Sequence, residues 1–258
     1  MGDLRIVVKV GTSTLAHSTG NLNIRRVTEL CRVLSDLKNQ GNEILLVSSG
    51  AIGMGVGKLA LSEKPDDIPG KQAAAAIGQC ELMYVYDKLF GEYNHIVAQI
   101  LVTGDDVQNE VRYRNFSNTV HRLLEMKVLP IINENDSISV EEIQIGDNDT
   151  LGAIVAKTVE ADLLVILTDT DGLYTADPRI DPDASLIREV PVITPELMGL
   201  GGGSGTKQGT GGMSTKLSAA QIATAAGVDT VIINGARPET LYDVADGNEF
   251  IGTRFMAQ

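Results

Sequence analysis

Two lysines, a cluster of acidic and amide residues and a glycine-rich segment carry the chemistry this sequence offers. Lys9 stands at the end of a near-continuous apolar run, residues 4–10. An ammonium serving structure alone is uncommon there, because burying it without a partner is costly. Asp147-Asn148-Asp149 follows Gly146 at the start of a helical pattern. Asp and Asn are favoured at helix N-termini, so capping accounts for one or two of the three. It does not account for all of them beside other carboxyl and amide clusters. The segment 199–215, GLGGGSGTKQGTGGMST, runs into another helical pattern with Lys216 in its first turn. Its glycines read as a flexible linker or, the stronger reading, as a loop whose amides and following helix dipole face an anion. Lysines paired with a carboxylate and backed by glycine amides suit phosphoryl transfer, where catalysis is positioning plus neutralisation of charge on the transferring oxygens.

Other chemistries lack their residues. Gly57-Lys58 and Gly70-Lys71 have neither the following Ser or Thr nor the upstream glycines of a Walker phosphate loop. No GxGxxG follows the first apolar run, which disfavours the usual dinucleotide fold, and no GxSxG elbow is present. His17, His95 and His121 are scattered without metal-ligand spacing and read as surface or satisfied histidines; no metal ligand is assigned. Cys31 and Cys80 sit in neither a CxxC nor a CxxH pattern and read as reduced, helical residues.

The elements that must position these groups follow from the apolar pattern. Short buried runs at 4–10, 43–48, 96–102, 128–133, 163–168 and 228–234 predict strands. Helical patterns fall at 23–40, 50–61, 71–90, 113–126, 147–160 and 215–226, and an alternating stretch at 137–145 predicts a hairpin. In the first helix, Ile24, Val27, Leu30, Cys31, Leu34 and Leu37 form one apolar face. Strand and helix in alternation predict an α/β fold with a mostly parallel sheet covered on both faces. Ligands of such sheets bind at the carboxyl ends of the strands. Four polar or glycine-rich clusters stand there: Lys9–Ser13, Ser48–Ala51, Asn133–Asp136 and Thr168-Asp169.

The 258 residues allow one large domain or two modest lobes. With 43% hydrophobic and 21% charged residues, composition is that of an ordinary globular chain. Its 21 basic against 34 acidic residues leave a net charge of −13, a poor match to a nucleic-acid backbone. An anionic small molecule must therefore be held by a few local donors. No apolar run approaches a membrane span of about 18 residues and the start has no leader pattern, so a cytoplasmic protein with no membrane or nucleic-acid partner is expected.

Blocks along essentially the whole chain resemble one family. VVKVGTST (7–14), LVSSGAIGMG (46–55), KQAAAAIGQ (71–79), PIINENDSI (130–138), GDNDTL (146–151), LTDTDGLYTADPR (167–179) and GTGGMSTK (209–216) are similar to those of the amino acid kinase superfamily, and within it the glutamate 5-kinase family. The block at 167–179 also resembles aspartokinases and uridylate kinases, whereas the others are more specific. An aspartokinase would open with a KFGGTS-like block where this chain reads KVGTS.

The resemblance implies a three-layer α/β/α sandwich and phosphorylation of the γ-carboxylate of L-glutamate by ATP with Mg²⁺. By matching position, Lys9 and Lys216 would contact the phosphoryl groups, Asp149 would hold both lysines, and Asp147 would lie close by. Ser49, Asp136 and Asn148 correspond to glutamate-binding residues, with Gly50 and Asn133 nearby. Lys9, Gly11, Thr168, Asp169 and the stretch Thr210, Gly211, Gly212, Met213, Ser214, Thr215 and Lys216 correspond to ATP-binding segments. The family also implies feedback inhibition by L-proline and a homo-oligomer, dimer or tetramer. Many members carry an added C-terminal RNA-binding-like domain of the PUA type. Here 1–258 reads as the kinase domain without it, in a naturally short or a truncated member.

Overall fold

The computed structural model describes residues 3–17, 21–138, 147–178, 180–201 and 212–258. The expected hairpin at 137–145 falls almost wholly outside them, as do Thr210 and Gly211. Strands β1 (Arg5–Val10), β2 (Glu43–Ser48), β3 (Val97–Val102), β4 (Leu129–Glu134), β5 (Leu163–Thr168), β6 (Glu189–Val190), β7 (Asp229–Asn234) and β8 (Thr253–Phe255) form one sheet in the order β3-β4-β2-β1-β5-β7-β8-β6. Every pairing is parallel except β7 with β8, which is antiparallel. The six strands expected from apolar runs are β1 to β5 and β7; the short β6 and β8 extend the sheet beyond β7.

Helices cover both faces: α1 (Thr12–Leu15), α2 (Ile24–Asn39), α3 (Ala51–Lys58), α4 (Ile68–Gly91), α5 (Gly104–Gln108), α6 (Glu110–Glu125), α7 (Asn148–Thr158), α8 (Pro195–Leu200), α9 (Met213–Thr224) and α10 (Thr240–Asp246). Strand residues alternate between two cores, which makes the three layers. Val7, Leu45, Val47, Ile132, Leu164 and Ile166 pack with α6, α7 and α9, and Ile6, Val8, Val10, Leu46, Ile131 and Val165 with α2, α4 and α10. Each buried Val, Leu or Ile side chain stabilises the fold by about 1.5–3 kcal/mol relative to exposure. Lys9 shares the parity of Val7, so its side chain faces the α7 and α9 layer.

Helix ends explain the small departures from expectation. Asn23, Asp67, Asn109 and Asp147 each cap a helix by accepting backbone amides. Helix α4 begins at Ile68 rather than 71, because Pro69 sits in the first turn, where its missing N–H costs nothing. Ile24 leaves the expected apolar face of α2: it is the first residue of the helix, 70% exposed, and lines an open cavity with His17, Arg25 and Arg26. Helices α3 and α4 touch backbone to backbone. A Cβ on Gly55 would lie 1.9 Å from the Ala74 carbonyl oxygen, and one on Gly78 would lie 1.7 Å from that of Ala51. The alanine-rich start of α4 thus packs Ala74 and Ala75 in the core and Gly78 on α3. This contact fixes Ala51, the residue that follows the Ser49-Gly50 turn.

Candidate active site

Three elements converge on one carboxylate at the carboxyl edge of the sheet. Asp149, in the first turn of α7, is 1% exposed. Its Oδ1 lies 2.6 Å from Lys9 Nζ, from the end of β1, and its Oδ2 lies 3.1 Å from Lys216 Nζ, from the first turn of α9. Thr215 Oγ1 donates to the same Oδ2 at 2.9 Å. Lys216 Nζ also reaches the Gly212 carbonyl at 3.4 Å. Both lysines are buried, at 7% and 6% exposure. Burial by itself would raise the Asp149 carboxyl, but the Lys9 and Lys216 ammoniums and the Thr215 hydroxyl outweigh it and hold the group below the usual carboxylate range. The geometry follows from local structure: α7 crosses β1 closely because Gly152 faces the Lys9 stem, where a Cβ would sit 3.4 Å from Lys9 Cβ.

Next to the ion cluster runs a chain of amides. Asn148 Nδ2 donates to Ser49 Oγ at 2.8 Å, to Asn133 Oδ1 at 2.9 Å and to the Ser48 carbonyl at 3.3 Å. Asn133, 2% exposed at the end of β4, donates through Nδ2 to Gln79 Oε1 of α4 at 2.9 Å. Gly50 takes φ +105°, the left-handed conformation that glycine adopts without strain, and so turns the chain from β2 into α3 with Ser49 facing Asn148.

Beyond Gln79 lies a cavity of about 380 Å³, lined among others by Ala51, Gln79, Glu134, Asn135, Asp136 and Ser137. Burial, reinforced by the neighbouring Glu134 carboxylate and only partly opposed by Lys64, pushes the Asp136 carboxyl up to about 6. Such a group gains from an arriving cation.

The remaining expected residues are placed less centrally. Asp147 caps α7, its Oδ1 accepting the Thr150 amide at 2.8 Å, which is the capping role that the sequence already allowed. Gly11 lies beside Lys9, where a Cβ would stand 3.5 Å from Nζ. Thr168 ends β5, next to β1, and its hydroxyl donates to Oδ1 of the following Asp169 at 3.2 Å. Gly212, Met213 and Ser214 open α9, and Gly212 supplies no side-chain cap to it. Gln79 is the site residue that sequence reasoning missed. Its signal was a polar side chain on the helical stripe of Ala75, Gly78 and Leu82. His95 and His121 lie away from the cluster, each against a backbone carbonyl, Ser35 at 3.3 Å and Ser117 at 2.8 Å. Among the described residues no group of three or more His, Cys, Asp or Glu side chains is arranged to hold a metal ion. No described helix is long and apolar enough to cross a membrane.

The model of the amino acid kinase family matches residues 4–234. The glutamate 5-kinase of Clostridium perfringens is 54% identical, over 98% of this chain and 96% of the relative. That of Listeria monocytogenes is 49% identical, over 98% of this chain and 93% of the relative. Among solved structures, carbamate kinase from Giardia lamblia bound to AMP-PNP superposes with a TM-score of 0.70 over 98% of each chain at 17% identity, a likeness of fold. This chain, with its lysine-bridging carboxylate at the edge of a parallel sheet, belongs to the amino acid kinase family, in its glutamate 5-kinase branch.

Proposed function

We infer that the chain transfers the γ-phosphoryl group of ATP to the γ-carboxylate of L-glutamate, giving L-glutamyl 5-phosphate in the first step of proline biosynthesis. The observation that carries this reading is Asp149, whose two oxygens each hold a buried lysine from a different element. The nucleophile is ionised at neutral pH, since a free γ-carboxyl titrates near about 4.3. No general base is needed, in keeping with histidines that lie elsewhere. The carboxylate oxygen attacks the γ-phosphorus in line, the bond to the β–γ bridging oxygen breaks, and ADP leaves. The obstacle is repulsion between an anionic nucleophile and anionic phosphate. Lys9 and Lys216 counter it on the transferring oxygens, while Asp149 keeps both ammoniums in place.

Thr168, Asp169, Gly11 and residues 210–216 serve the nucleotide in this reading, with the uncapped first turn of α9 presenting amides to phosphate. Both Asp149 oxygens are taken by lysines, so the cluster suits the oxygens of a magnesium nucleotide rather than the ion itself. Mg²⁺ arriving with ATP would supply further positive charge on the phosphate oxygens. Ser49, Gly50, Asn133, Asp136 and Asn148 serve glutamate, and Asp136 pairs with the α-ammonium that N-acetylglutamate lacks. A single kinase domain over 1–258, a cytoplasmic site of action, feedback by L-proline and assembly into a dimer or tetramer complete the reading.

The test is ADP release from MgATP with L-glutamate, N-acetylglutamate, aspartate or UMP, with hydroxylamine present to trap acyl phosphate. Glutamate-dependent ADP and hydroxamate are expected, with inhibition on adding proline. Turnover confined to another acceptor would discard the role given to Asp136. ATP binding with no turnover on any acceptor would make the chain a sensor.

A further inference from the structure

The amide chain has a direction, and the direction leaves one donor over. The Glu134 backbone N–H donates to Asn133 Oδ1 at 2.9 Å, and a backbone N–H has no other option. That contact orients the Asn133 amide, so Nδ2 is the atom facing Gln79. The Gln79 atom facing it, 2.9 Å away, must be the acceptor Oε1. Gln79 Nε2, with two protons to give, is thereby turned the other way. It is buried and finds no hydrogen-bond partner among the described residues, although Gln79 is only 8% exposed. An unpaired buried amide is costly and is retained where something else satisfies it. Gln79 lines the cavity that holds Glu134 and Asp136. Gln99 lines it too but is exposed to solvent.

We propose that Gln79 is a specificity-determining residue: its Nε2 donates to the α-carboxylate of the bound amino acid, whose α-ammonium faces Asp136. The inference rests on reading the site as glutamate-phosphorylating. The γ-carboxylate must lie at the lysine end, beside Asp149. Gln79 is the link of the Asn148–Asn133–Gln79 chain furthest from that end, so the group that meets Nε2 belongs to the other end of the substrate. A donor beside the Asp136 carboxylate reads a zwitterion, with the carboxylate taking the ammonium and the amide taking its negative partner. Through Oε1 the same side chain also braces Asn133, so occupancy of the α-end is tied to the orientation of Asn148.

The test compares L-glutamate with its α-carboxamide, L-isoglutamine, which keeps the γ-carboxylate and the α-ammonium. Gln79→Glu keeps an acceptor toward Asn133 but replaces the donor with an oxygen that repels an α-carboxylate and accepts from an α-amide. The expected result is a fall of about tenfold or more in the ratio of kcat/KM for glutamate over isoglutamine, with the KM for ATP within about threefold of wild type. A ratio unchanged within about threefold, in a variant that melts like wild type, overturns the proposal and leaves Gln79 a structural residue. Should Gln79→Glu fail to fold, Gln79→Met, with no charge to bury, is read by the same ratio and the same limits. A wild-type protein that traps no hydroxamate with glutamate overturns the functional reading itself, an outcome distinct from an unmoved ratio.

Discussion

At the lysine end of the site, one buried carboxylate is shared by two ammoniums and a hydroxyl. At the other end, Glu134 and Asp136 line a cavity with amides, and among the described residues Lys64 partly counters the rise at Asp136. The first region is preorganised: its groups hold one another in place without any ligand, and Asp149 is held ionised. The second is unbalanced, with a carboxyl held up near 6 and a buried amide that finds no partner among the described residues. Rigid charges suit a transition state that is always the same, whereas an unbalanced pocket gains most from the one ligand that completes it.

The comparison breaks first at Asp149. In Asp149→Asn two buried ammoniums face a neutral amide, and removing one member of a buried ion cluster costs about 3–5 kcal/mol. A drop in melting temperature of roughly 10 °C is expected, measured by calorimetry near neutral pH. Since the folded-state value of Asp149 is depressed, wild type keeps this stabilisation above the ordinary carboxylate range and loses it only as pH falls through the lower folded value. A variant as stable as wild type would show that the lysines do not depend on Asp149. Lys216→Ala comes next: turnover should fall about 10²–10³-fold, the usual loss for one charge-stabilising donor, with the KM for glutamate nearly unchanged. Steady-state kinetics within a few-fold of wild type would remove Lys216 from the transfer step.

The rigid end was the more legible in the sequence. A lysine closing an apolar strand, an acidic helix start and a lysine after a glycine run are each conspicuous, and parallel strands buried on both faces declare themselves as continuous apolar runs. By residue type alone Asp147 and Asp149 are not separable, because both stand where a cap is favoured; the family resemblance put the lysines on Asp149, and the side-chain contacts have Asp147 capping α7 while Asp149 meets both lysines. The amide end was less legible. Gln79 looks like a solvated helix residue until its stripe with Gly78 and Leu82 is seen to be buried. The contact of Gly55 and Gly78 with the facing backbones is a tertiary fact that no local pattern encodes. Strands β6 and β8, two and three residues long, are too short for a period to register.

Asp136 sharpens the comparison through its titration. Asp136→Asn should raise the KM for glutamate by about ten- to a hundredfold, the worth of a hydrogen bond to a charged group, and leave the KM for ATP nearly fixed. With a free-protein value of about 6, the proposed pairing with the ammonium requires the ionised form of Asp136. The wild-type KM for glutamate should therefore be flat above that pH and climb up to tenfold per unit below it, a slope the Asn variant should lack. The stability sign runs the other way. A folded-state value raised above the ordinary 3.8 means that the fold holds this proton more tightly than the unfolded chain does. Its contribution is full below that ordinary value and is lost as pH rises through about 6. On the proposed pairing, glutamate binding should offset the loss. Parallel pH profiles in wild type and variant would refute the pairing of Asp136 with the ammonium.

Ser49 should give the smallest effect, and the reason lies in the amide chain. Asn148 Nδ2 has three acceptors for two protons: Ser49 Oγ, Asn133 Oδ1 and the Ser48 carbonyl. Ser49→Ala leaves both protons satisfied, so Asn148 keeps its orientation and nothing buried is orphaned. Under the proposed glutamate-binding role, what is lost is the contact of one neutral hydroxyl with substrate, about 0.5–1.5 kcal/mol, which is roughly two- to tenfold in the KM for glutamate. Turnover should hardly move, because the lysine cluster does not lean on Ser49. A loss of hundredfold or more in kcat would mean that the hydroxyl positions the reacting carboxylate. The two ends of the site would then work as one rigid unit rather than as a fixed end and an adaptable one.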